Sequence, residues 1–367
     1  MNLKRTTIAK IDNNTGLVVK RMETSEGDIL TRKVAVNNTF FGAEKQRMLA
    51  HKPILDAVLQ TLHIHYNKWK GYWRIQGAEH RLEEAQAHAA RNKRLFIAYL
   101  QNRQAAWDAL TWEVANENFL ILARLGTPIV PFCIPLDGAL EEWNKYKEQA
   151  LRVLNKSQEL MPVLCLFHEP IKFAQIIKSE FGISKYLGLH YFNINATLTR
   201  ANLNFLHTLT YQQTVGTEVP LVVAFCPDRY IRSMQNASSA YMLSLFGVDF
   251  VSYYVYTPEQ AAIIEDQSLE KMKFYDSEEG GYNDTETQVV WYGKDLTREN
   301  LESISVAEGL SPYLANRWAD YLKEAEDLDV LNSAIINGTA EAVIKEKSRW
   351  FVPLVDILAA RKQQQDK

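Results

Sequence analysis

Side chains able to do acid, base or nucleophilic chemistry recur in this chain directly after apolar runs. They are Asp137 in IPLDG, His168 and Glu169 in LFHEP, Asn193 and Asn195 in YFNINAT, Asp228 and Arg229 in CPDRY, and Tyr254, Tyr256 and Glu259 in YYVYTPEQ. Two carboxylates at one site support chemistry at a sugar carbon, because one attacks while the other moves a proton. Asp228, Glu169 and His168 are therefore the catalytic candidates. Asn193 and Asn195 can hydrogen-bond the edge of a flat heterocycle while Tyr254 or Tyr256 stacks on its face. Arg229 and Ser252 complete the candidate substrate-binding set. The competing duty is local: Asp and Asn after a strand commonly cap the next helix, which is the expected role of Asp137.

These residues need a scaffold that brings strand ends together. Apolar, β-rich runs at 128–134, 161–167, 185–192, 219–226 and 248–255 alternate with helical patterns at 138–158, 170–181, 198–214, 230–245 and 257–267. In 138–158 the residues Leu140, Trp143, Ala150, Leu151 and Leu154 recur at helical spacing. Near-continuous apolar strands separated by helices are the mark of a parallel sheet covered on both faces. No G-x-G-x-x-G follows any strand, so a dinucleotide-binding sheet ranks second to a barrel. The expected fold is an α/β (β/α)8 TIM-type barrel, whose chemistry sits at the carboxyl ends of the strands.

The chain divides by pattern into four stretches of one domain. Residues 1–43 hold an N-terminal β-hairpin and the barrel entry, and 44–125 a mainly helical insertion or early barrel segment. The core βα repeats fill 126–270. A strand-turn-strand and a helical tail over 271–367 close the same domain, with Ser311-Pro312 as a helix start. Within the second stretch, 94–101 reads equally as helix or strand.

Composition narrows the function. The chain has 367 residues, 47% of them hydrophobic, and a formal net charge of −3, which gives no global attraction to nucleic acid. Locally, 66–103 is rich in Lys and Arg, with aromatics at its start. Lys68, Trp69, Lys70, Trp73 and Arg74 suit phosphate contact with base stacking, set against a solvated helix face with inward tryptophans. Cys133, Cys165 and Cys226 each lie in an apolar run, which favours core packing over a disulfide or a cysteine-rich metal site. His63 and His65 are a weak metal hint, and no metal or cofactor is expected. His190, within KYLGLHYF, reads as a core histidine worth mutating if it faces the barrel mouth. No run is long enough to span a membrane. The start MNLKRTTIAKIDNNTG lacks an apolar signal core, so cytoplasm is the expected location.

Four segments carry a family resemblance: the hairpin GLVVKRMETSEGDILTRKVAV, the strand GVDFVS, the strand-turn-strand FYDSEEGGYN, and the tail from Ser311 to Lys347. In order and type these resemble the tRNA-guanine transglycosylase superfamily over most of 15–350, most closely at 247–253. The resemblance implies a barrel that breaks an N-glycosidic bond, ejects guanine and inserts a deazaguanine base through an aspartyl intermediate. One branch of that family acts on DNA.

Three departures matter. Ser252 stands where the family has its nucleophilic aspartate, no Cys follows Cys226 to build the family's zinc site, and the glycine-rich base-binding segment has no match. The insertion at 53–125 is also longer than the family's early barrel. The expected partners are nucleic acid, DNA ahead of tRNA, a purine or deazaguanine base, and a related subunit or accessory protein. Three readings stay open. The first is an enzyme whose nucleophile has moved to Asp228 or Glu169, with Asp249 third. The others are a catalytically silent partner subunit, and an unrelated barrel hydrolase or lyase using His168 and Glu169.

Overall fold

The computed structural model describes residues 1–37, 58–65, 75–101, 107–191, 197–228, 230–231, 236–254, 273–283 and 312–347, together with 351, 354, 356–358 and 360. The chain opens with three antiparallel strands, β1 (Leu3–Ile11), β2 (Val18–Thr24) and β3 (Gly27–Leu30). The β2–β3 turn sits at Ser25-Glu26. Strand β1 was not anticipated, because its run LKRTTIAKI mixes buried and exposed positions without clean alternation.

The barrel follows. Its strands are β4 (Lys33–Val34), β5 (Val36–Asn37), β6 (Leu59–His65), β7 (Leu95–Gln101), β8 (Ile129–Cys133), β9 (Glu159–Cys165), β10 (Tyr186–His190) and β11 (Leu221–Phe225). Two short strands, β12 (Tyr230–Ile231) and β13 (Ala237–Ser238), precede the last, β14 (Phe250–Ser252). The sheet order is β4-β14-β11-β10-β9-β8-β7-β6-β5, and all these barrel pairs are parallel. Strands β4 and β5 are two pieces of one segment, joined through Ala35. Its one piece pairs with β14 and the other with β6, so the sheet returns to its start as a nearly closed barrel of eight staves.

The helices between the staves are α1 (Ile75–Arg91), α2 (Trp112–Arg124), α3 (Leu140–Val153), α4 (Pro170–Glu180) and α5 (Thr197–Tyr211), with α6 (Ser239–Ser244) before β14. Helix α2 starts where Thr111 accepts a hydrogen bond from Val114 N, and it buries Trp112, Ala115, Phe119 and Leu122 along one face. Helix α4 buries Phe173, Ile176 and Ile177 in the same way. Each large apolar side chain so buried contributes roughly 1.5–3 kcal/mol. Between α3 and α4, the buried Glu180 accepts from Trp143 Nε1 at 2.6 Å and from Lys147 Nζ at 2.8 Å.

The stretch 44–125, expected as a mainly helical insertion or an early barrel segment, contributes the barrel strands β6 and β7 beside helices α1 and α2, which fits the second alternative. One expectation needs correction. Residues 230–245, read as one helix, form β12, β13 and the six-residue α6. The expected helix at 257–267 lies outside the described residues.

Beyond β14 come β15 (Phe274–Asp276), β16 (Gly281–Asn283), and helices α7 (Pro312–Asn337) and α8 (Ala340–Lys345). Strands β12, β13, β16 and β15 form a small side sheet. Helix α7 is fastened to it by Asp320, Glu324 and Asp327, one helical face at i, i+4 and i+7. Asp320 accepts from Tyr275 N at 2.8 Å. Glu324 accepts from Tyr253 OH at 2.7 Å and from Ser238 Oγ and Tyr282 OH, each at 2.8 Å. Asp327 accepts from Tyr275 OH and pairs with Lys347.

Candidate active site

Strand alternation sends every second side chain of a stave into the lumen. The contacts show which ones. Ser252 on β14 meets His63 on β6, and Tyr99 on β7 meets His190 on β10. Neither strand pair is adjacent, so both contacts cross the lumen.

Two linked groups result. Ser252 Oγ lies 2.6 Å from His63 Nε2 and 2.7 Å from Thr61 Oγ1, and His63 Nδ1 lies 3.8 Å from Cys226 Sγ. The serine has one proton, so it donates to one neighbour and accepts from the other. Tyr99 OH is 2.5 Å from His190 Nδ1, and Trp107 stacks on His190 with ring centroids 4.9 Å apart. Phe225 stacks on Tyr99 with ring centroids 4.1 Å apart and stands level with His190 and Ser252 in the strand register. That placement needs Gly188, since a Cβ there would stand 2.6 Å from Val163 Cγ2 and 3.2 Å from the Phe225 ring.

Burial sets the electrostatics. His190 is held well below the usual histidine range by burial and then by His63, so it is neutral near pH 7. Burial raises Tyr99, and it raises the Cys226 thiol well above its usual range, so that thiol stays protonated. Cys133 and Cys165 are pushed up to about 12 by the same cause. Around these rings the lumen thus holds a neutral His190 and protonated tyrosine and cysteine side chains. Among the described residues no group of three His, Cys, Asp or Glu is arranged to hold a metal ion, and no helix is long and apolar enough to cross a membrane.

A carboxylate reaches this end of the barrel from β11. Cys226 leaves that strand with a left-handed backbone (φ 64°), a conformation uncommon outside glycine that recurs at functional sites. Its N–H donates to Ser252 O at 2.8 Å, and Tyr254 N donates to Pro227 O at 3.1 Å. The ends of β11 and β14 are therefore tied together, with Asp228 exposed at the rim and Tyr254 half-buried beside it.

The other candidates fall elsewhere. Glu169 is exposed and caps α4, accepting from Ile171 N at 3.1 Å and Lys172 N at 3.2 Å. His168 is fully buried, its Nδ1 donating to Cys165 O at 3.3 Å, and burial lowers its pKa to about 4. The two side chains thus do not act as a pair. Asp249 lies at the opposite end of β14, bound to Lys20. Asn193, Asn195, Arg229, Tyr256, Glu259, Lys68, Trp69, Lys70, Trp73 and Arg74 lie outside the described residues.

His63, Thr61 and Tyr99 are lumen residues that the sequence reading did not assign to the site. The signal was the i, i+2 spacing of TLHIH, which places Thr61 and His63 on one face once the segment is extended. No protein-family model matches the chain, and no curated protein matches it.

Proposed function

We propose that this protein is a base-exchanging glycosyltransferase acting on nucleic acid, DNA ahead of tRNA, with Asp228 as the nucleophile. The observation that supports the reading is the backbone tie between the ends of β11 and β14, with Asp228 two residues beyond the Cys226–Ser252 bond. The resemblance over 247–253 supplies the reaction class, and the missing zinc ligands separate the chain from the tRNA-acting pattern.

Carboxylate and hydroxyl differ in one decisive respect. Base exchange needs a covalent sugar intermediate that forms and then breaks. A glycosyl ester of a carboxylate leaves readily when the second base attacks, whereas a glycosyl ether of serine does not. Ser252 is also fully buried between Thr61 and His63. In the proposed sequence the C1′–N bond breaks with its electron pair leaving on guanine, which takes a proton, while an Asp228 oxygen bonds to C1′. The incoming deazaguanine then loses a proton, attacks C1′, and releases the carboxylate. The Tyr99–His190 and Ser252–His63 pairs line the lumen below.

The test is incorporation of labelled guanine and of a deazaguanine precursor into DNA and tRNA by the purified chain. Incorporation is expected in the wild type and is expected to fall about 10⁴-fold in Asp228→Asn, with an unchanged melting temperature because the residue is exposed. Equal incorporation by both proteins would remove Asp228 from the role. No incorporation into either polymer would favour a silent partner subunit, the reading that the buried Ser252 favours.

A further inference from the structure

At the amino ends of the staves, opposite the proposed site, three charged side chains are buried together. Lys20, Arg32 and Asp249 are 1%, 1% and 3% exposed. Lys20 Nζ donates to Asp249 Oδ2 at 2.6 Å, to Pro220 O at 3.2 Å and to Gly247 O at 3.4 Å. Asp249 Oδ2 also accepts from Val222 N at 2.8 Å. One carboxylate thus faces two cations and is already in contact with the first.

Arg32 has a different environment. Its Nε donates to Ser244 O at 3.0 Å, but Nη1 and Nη2 are buried with no hydrogen-bond partner. Burial lowers the pKa of this side chain only to about 10, so it stays charged near neutrality. A buried charge left without a partner costs several kcal/mol. The backbone adds to the anomaly. Arg32 has φ 79°, a region that favours glycine or asparagine, yet the chain places its bulkiest cation there.

A second donor lies close by. Tyr241 stands one turn before Ser244 on α6, and its hydroxyl is buried without a partner as well. The Arg32 guanidinium is bonded to the same helix, through Nε to Ser244 O. Helix α7 roofs the position, with Asn332 Nδ2 donating to the Arg32 carbonyl at 3.4 Å.

We infer that Arg32 Nη1 and Nη2, with the Tyr241 hydroxyl, hold a small monovalent inorganic anion beneath the barrel. A guanidinium fork presents parallel N–H donors that suit a halide or a small oxyanion. The anion supplies the missing counter-charge and joins the residue preceding β4 to α6.

The test is thermal unfolding of the full chain at fixed ionic strength, with sodium gluconate replaced stepwise by chloride, bromide or nitrate. A bound anion stabilises the native state along a saturating curve, whereas a general salt effect is linear. The wild type is expected to gain roughly 3 °C and then level off. Arg32→Met keeps the bulk, removes the donors, and is expected to abolish the curve. Tyr241→Phe is expected to raise the half-saturating concentration several-fold, and it decides the matter if Arg32→Met does not fold. A flat wild-type response overturns the proposal. So does a saturating response with the wild-type midpoint in Arg32→Met, or in Tyr241→Phe.

Discussion

One short strand serves both ends of the barrel, and the two ends are built from different chemistry. At the entrance of β14, Asp249 is ion-paired with Lys20 beside Arg32, so the amino end is charged. At its exit, Ser252 bonds to His63 and Thr61 beside the Tyr99–His190 pair, so the carboxyl end is built from hydroxyl and imidazole groups. The first arrangement suits a support: a buried ion pair tolerates no loss of a partner. The second suits a site, because hydroxyl and imidazole groups can both donate and accept hydrogen bonds. In barrels the amino ends commonly serve stability and the carboxyl ends chemistry.

That contrast is open to measurement. Asp249→Ala strands two buried cations and is expected to destabilise the fold by about 3–5 kcal/mol in urea denaturation. The carboxyl end should instead reveal itself through pH. His168 binds its proton with a pKa near 4 in the fold and near 6.5 in the ordinary state. Between those values the unfolded chain takes up a proton that the folded chain refuses. Stability therefore falls as pH drops from 6.5 to 4, by on the order of 3 kcal/mol, and His168→Gln should flatten that slope.

Smaller effects sharpen the picture. Gly188→Ala drives a methyl against Val163 beneath the Phe225 ring and should cost about 1–3 kcal/mol, read by the same denaturation. Ser252→Ala removes one shared hydroxyl and should cost about 1–2 kcal/mol. A loss in Ser252→Ala as large as that in Asp249→Ala would break the contrast, since the exit of β14 would then be as structural as its entrance.

The legibility of the chain follows the same division. Strands β8 to β11 and β14 stand out in the sequence because both their faces are buried in apolar surroundings, as in LVVAF and IVPFC. Strand β6, LQTLHIH, does not stand out. Its lumen positions Thr61 and His63 are polar, and the lumen chemistry breaks the apolar run by which a buried strand is recognised. Site and scaffold compete for the same residues there. Helix capping hid the reverse case: Glu169 has the type of a catalytic carboxylate, but its oxygens hold the first turn of α4. Asp228 was legible as a strand-end carboxylate. Its tie to the Ser252 strand was not, because that tie is made by backbone atoms of Cys226, Pro227 and Tyr254 and depends on strand order.

The central claim is that the carboxylate of this site has moved one strand over, from the position of Ser252 to Asp228. The most direct measurement is to incubate the purified chain with a substrate polynucleotide in the absence of an incoming base, denature it, and map any covalent protein–nucleic acid adduct by peptide mass spectrometry. The account predicts an adduct on the peptide containing Asp228, absent in Asp228→Asn and present in Ser252→Ala. An adduct on Ser252, or one that survives in Asp228→Asn, would contradict it.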